Sequence, residues 1–178
     1  MYSLELINNT NAKGGEKMNN NKHLVKFFVA SVLFLIWNTL QGAIQAQGPI
    51  HDFLGQGPAD IIVGAHAHVG LLGWVTLGLA GVLYYLVPLL SGKTLSWPRV
   101  VNWIFWIFVV IFPVNSLLMI IAGIVGGNAF IAGKSGPEIG AILTPYMIPV
   151  GILSIICGIV WLIFAIQIIH TAAKKTVS

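Results

Sequence analysis

Four apolar runs, at roughly residues 24–46, 59–90, 100–127 and 139–170, limit what this chain can become. Each reaches the ~20 residues that a helix needs to cross the ~30 Å hydrocarbon core of a bilayer. An open strand has no partner there for its N–H and C=O groups, so the runs read as helices. Charged residues are only 8% of the 178, against 57% hydrophobic, too few to cover the surface of a soluble domain. The expected fold is all-α: a bundle of four transmembrane helices over residues 24–173, with the lipid bilayer as its first partner. Residues 1–23 are polar, lack apolar periodicity and read as a mobile tail; 174–178 read as a short basic tail. Met18 opens "MNNNKHLVKFF", which looks like a natural start. The first run is long and has no clear small-x-small cleavage site, so it reads as a retained span rather than a signal peptide.

The charges sort by loop. Lys13, Lys17, Lys22 and Lys26 precede the first span, Lys93 and Arg99 join the second to the third, and Lys174 and Lys175 follow the fourth. The other two loops carry Asp52, Asp60 and Glu138 against a lone Lys134. By the positive-inside rule both termini are cytoplasmic. The net charge of +4 is thus a matter of topology, and no nucleic-acid partner is expected. The single cysteine, Cys157, excludes an internal disulfide and any CxxC motif. No phosphate loop, carboxylate pair or nucleophile–base pair suggests hydrolysis.

The second span holds "GAHAHVGLLGW", with two of the chain's five histidines. His66 and His68 fall roughly 10–15 Å into that helix at 1.5 Å per residue and point nearly 200° apart. They cannot grip one metal ion from one side, unlike an i, i+4 pair. His66 shares its face with Gly70, Gly73, Leu77, Ala80, Gly81 and Tyr84, a groove fit for another helix or a flat cofactor. His68 shares its face with Gly64, Leu71, Leu72, Val75 and Leu79, a wall that suits a porphyrin with one axial nitrogen. The plain reading of either imidazole is interhelical hydrogen bonding; two at matched depth favour function, because polar groups in hydrocarbon are costly. Asn38, Gln41 and Gln45 form a polar stripe on the first span, expected to bond between helices. Asn115 sits two residues beyond Pro113, near a carbonyl that the proline leaves without its N–H partner. Trp37, Trp97, Trp103 and Trp161 are candidates for an interface belt. Tyr84 and Tyr85 are expected anchors at the cytoplasmic end, while His23 and His170 read as ordinary interface and helix-end residues.

"AHAHVGLLGWVTLGLAGVLYYLVP" resembles the second helix of subunit I in the haem–copper oxidase and nitric-oxide reductase superfamily, and more closely its short four-helix members with an "HAHxNLLGW" pattern. The likeness is best from "LQGAIQ" through "YYLVP" and fades across the last two spans. It implies that His68, followed by Val69, Gly70, Leu71 and Leu72, ligates a haem near the outer face, with Gly70 where the family has asparagine. It implies a bacterial inner membrane, haem b and one-electron transfer, as a subunit of a respiratory complex or as a homodimer, with a quinone or cytochrome as redox partner. The histidines that hold the second haem and copper in the large proteins have no counterpart here, so one copy cannot build that centre. Candidates for a second axial ligand are Met119, Met147 and His51 by depth, and His66 for a haem on its own face. An open iron that binds NO, CO or O2 is the alternative, and a cofactor-free membrane scaffold the rival from another class.

Overall fold

A computed structural model describes residues 22–174. After a 3-10 turn at Lys22–Leu24, which contains His23, the elements are α1 (Val25–Gln45), a short α2 (Gly48–Leu54), α3 (Gly57–Ser91), α4 (Pro98–Ile131) and α5 (Gly136–Ala173). The first 21 residues, Met18 among them, and residues 175–178 of the basic tail lie outside the described part. Four helices are long and apolar enough to cross a membrane, and no strand occurs among the described residues. The expected four-span, all-α membrane fold is what the chain adopts.

Local chemistry sets the ends. Pro58 stands in the opening 3-10 turn of α3, where its missing N–H costs nothing. Gly57 before it has φ +52, and a Cβ there would lie 2.6 Å from Phe130 Cγ, so conformation and space both demand glycine. Gly92 closes α3 in the left-handed region, and the Lys93 N–H bonds back to the Pro88 carbonyl at 3.2 Å. At the start of α5 the Glu138 carboxylate accepts from the Ser135 N–H at 2.8 Å and from its hydroxyl at 2.6 Å.

Two kinds of core hold the spans together. Toward the end that carries Lys26, Lys93 and Lys174 the core is aromatic: Phe27 packs edge-on against Phe105 at 5.0 Å and Tyr84 at 5.6 Å, and Trp161 lies 4.1 Å from Phe108. Toward the acidic end the backbones close up over small residues. Gly123 faces Ile62, Gly126 faces Pro58 and Leu143, and Gly127 faces Phe53 and Ala59. Trp97 and Trp103 are exposed, as an interface belt requires, whereas Trp37 stacks on Phe34 and Trp161, partly buried, packs against the aromatic core.

Within α3 the winding changes. Residues Ile61–His68 are α-helical, Val69–Thr76 form a π-helix, and the α-helix resumes at Leu77. The Thr76 hydroxyl donates to the Leu71 carbonyl five residues back, at 2.7 Å. Such segments are rare and gather at functional sites. This one begins immediately after His68.

Candidate cofactor site on the outer face of α3

Helix α1 decides the fate of the glycine groove. Its side chains Asn38, Phe34, Ser31 and Phe27 seat over Gly70, Gly73, Gly78 and Gly81 of α3, and His66 reciprocates over Gly42 of α1. Another helix, not a flat cofactor, fills the groove. The α3 positions in contact step by four, three, five and three; the step of five lies across the π turn and brings Gly78, in place of the expected Leu77, onto the seam. Leu77 is instead fully buried in the aromatic core. Ser31 secures the seam by donating to the Trp74 carbonyl at 2.7 Å. Gln41 and Gln45 both donate to the Ile62 carbonyl, at 3.5 and 3.2 Å, which are the interhelical bonds expected of that stripe.

His66 is therefore half-buried between α1 and α3, with Nδ1 shielded and unbonded. His68 is the opposite case. Its ring is exposed, and Nδ1 lies 2.7 Å from the Gly64 carbonyl one turn back. A carbonyl only accepts, so Nδ1 carries the proton and donates. In the neutral ring Nε2 then holds the lone pair, and it has no partner within the described chain. An imidazole oriented by such a bond is the form that binds a transition metal. Around it Ala67, His68, Leu71 and Leu72 line a shallow depression of about 220 Å³, below the roughly 300–1,000 Å³ of pockets that enclose a cofactor. Leu71, Val75 and Leu79 extend the same exposed apolar face. The face supplies one ligand atom and one wall.

Met119, Met147 and His51 sit on other helices. Met119 of α4 is buried with Ala65 and Val150, its methyl 3.2 Å from where a Gly64 Cβ would stand. His68 and Met119 thus both adjoin Gly64, from its carbonyl and its Cα. Met147 is on α5 and 37% exposed. His51 is exposed on α2, 4.0 Å from the Asp52 carboxylate. No three His, Cys, Asp or Glu side chains converge among the described residues. Asn115 is buried with Oδ1 unbonded, and makes no bond to the carbonyl that Pro113 frees.

At the basic end is a polar cluster that the sequence reading missed. Gln167 is fully buried, accepts from the Tyr84 hydroxyl at 2.9 Å and donates to the Ser96 carbonyl at 2.6 Å. His170 stacks on Trp97 with ring centroids 4.7 Å apart, its Nδ1 2.9 Å from Ser96 Oγ. Tyr84 is thus an interior residue, while Tyr85 is exposed. The one available signal was an isolated glutamine in an apolar run.

A family model described as Cytochrome C and Quinol oxidase polypeptide I matches residues 6–160. A cytochrome c oxidase subunit 1 homolog of Agrobacterium tumefaciens (strain T37) is 30% identical over 102 residues, 57% of this chain and 18% of that protein. Cytochrome c oxidase subunit 1 of Rhodobacter capsulatus is 28% identical over 105 residues, 58% of this chain and 19% of that protein. The chain spans less than a fifth of the length of these curated relatives. Four apolar helices, the imidazole-bearing second span and a match over most of the length lead to one conclusion: the chain belongs to the cytochrome c and quinol oxidase polypeptide I family.

Proposed function

We propose that this chain is a b-type haem protein of a bacterial membrane that passes single electrons as the haem-bearing unit of a respiratory oxidoreductase. The observation that carries the reading is the state of His68: Nδ1–H tied to the Gly64 carbonyl, Nε2 directed away from its own backbone on an exposed apolar face. That donor and wall fit an iron porphyrin, which is mostly apolar and needs an axial nitrogen. His68 would hold the iron, and Leu71 and Leu72 would cover part of the ring. The group, when bound, supplies the one-electron chemistry. The chain orients the imidazole through the Gly64 bond and keeps water from one side. With both termini cytoplasmic, this face lies near the outer side of the membrane, within reach of a quinone or a cytochrome partner.

One wall and one ligand leave the opposite side to be completed. A second copy of the chain or a neighbouring subunit would cover it, with Met119, Met147 and His51 as in-chain alternatives. The exposure of His68 also favours a second reading, an iron with an open position that binds NO, CO or O2.

A reduced-minus-oxidised absorption spectrum of the purified, haem-supplied protein tests the proposal. Soret and α bands are expected at roughly one haem per chain or per pair of chains. A preparation without those bands sinks it. His68→Ala should lose most of the haem and His66→Ala should keep it; the reverse pattern places the iron on the other face. A CO-induced shift of the reduced spectrum selects the open-iron reading.

A further inference from the structure

Asn38 Oδ1, Gln41 Oε1 and His66 Nδ1 are all buried and have no hydrogen-bond partner in the described chain. They lie on one seam. Asn38 and Gln41 are a turn apart on α1, and Asn38 Oδ1 lies 2.9 Å from the Cβ position of Gly70 on α3. The His66 ring presses on Gly42, its Cε1 3.0 Å from that Cβ position, next to Gln41 and one turn from Asn38. Gln41 is only 8% exposed and has committed its amide nitrogen to the Ile62 carbonyl, which leaves its oxygen without a donor. Unpaired polar atoms are costly in any interior, and in hydrocarbon no bulk water relieves them.

What remains unsatisfied is specific: two carbonyl oxygens that require donors, and one ring nitrogen that can give a proton. We propose that the α1–α3 seam is a binding site for water. One molecule donates to Asn38 Oδ1 and to Gln41 Oε1 and accepts from His66 Nδ1–H. Three hydrogen bonds are the usual complement of a buried water. A hard cation is surrounded by six or more oxygens, and this seam offers two unpaired buried ones. An apolar occupant would leave all three atoms unpaired. Gln45, half-buried, and Gln47, exposed, follow Gln41 toward the acidic end. The water adds a bridge between α1 and α3 to the direct bonds made by Ser31, Gln41 and Gln45. The site needs no haem and stands independently of the proposed function.

Nuclear Overhauser contacts to water, recorded on the isotope-labelled full chain in nanodiscs without added haem, test it. The His66 ring N–H and the side-chain amides of Asn38 and Gln41 should show water cross-peaks. The Gln167 amide, bonded to the Ser96 and Trp97 carbonyls at 2.6 and 3.1 Å, should show none. Absence of water contacts at all three seam residues overturns the proposal. Thermal unfolding of Asn38→Leu, a substitution that removes no hydrogen bond made within the described chain, gives a second readout. A hydrated seam loses its bridge and Tm falls by a few degrees, whereas an unchanged or higher Tm means a dry seam and overturns the proposal. If that variant does not fold, the spectra of the unsubstituted chain decide.

Discussion

Positions 66 and 68 share a helix and a depth, yet their rings have opposite surroundings. His66 is pressed between helices and His68 is turned outward, because two residues of α-helix amount to more than half a revolution. The sequence periodicity already separates them; which ring meets a helix and which stays open depends on where α1 docks. The same docking explains the glycines. A Cβ at Gly73 would stand 2.7 Å from Phe34 Cγ, while nothing lies within 4 Å of one at Gly158. Gly73→Ala should therefore destabilise the protein by about 1–3 kcal/mol, the usual cost of overpacking. Gly158→Ala should leave it unchanged or raise its stability by up to about 1 kcal/mol, through backbone entropy. Thermal unfolding of the two variants in one detergent compares them directly. Equal shifts would mean that α1 does not seat on Gly73.

At the scale of the element, the π turn of α3 acts as a spacer. Between Gly73 and Gly78 it takes up one residue more than an α-helical seam allows, so α1 meets small residues both above and below it. Deletion of Val75, an exposed residue inside the turn, should convert it to α-helix and keep both flanking registers. Stability should change by about 1 kcal/mol or less, since no core contact is lost. Deletion of the exposed Leu83, beyond the turn, rotates the rest of α3 by about 100°. It should withdraw Tyr84 from Gln167 and cost several times as much. Chemical unfolding followed by circular dichroism separates the outcomes, and equal losses would refute the spacer role. Nothing in the sequence announces this turn. The apolar run is continuous through it, and only the spacing of glycines against another helix reveals the extra residue.

For the molecule as a whole, the two ends are built differently. At the basic end the α3–α4 loop is bonded to the end of α5 through Ser96, Gln167 and Thr171, and Lys93 reaches the Ala172 carbonyl at 2.7 Å. The acidic end relies on close backbone packing and on turns. If the basic end is cytoplasmic, as the lysines imply, Lys93→Cys should resist a membrane-impermeant maleimide added to intact cells. Lys134→Cys, exposed at the other end, should react. The reverse labelling pattern would invert the topology and move His68 to the inner side. Cys157 is buried and should stay silent in both variants.

By itself the sequence determined the class of the protein: four spans by apolar length, and two imidazoles on opposite faces by helical angle. These are properties of one segment at a time, set by the bilayer and by the α-helical repeat, so no neighbour is needed to read them. Tertiary structure decided what each face meets. Helix α1, rather than a cofactor, occupies the glycine groove; Trp161 packs against the core and Tyr84 is interior; Gln167 ties a loop to a helix end; and a π turn adjusts the register. Each depends on contacts between residues tens of positions apart, whose energies arise only once the helices have docked.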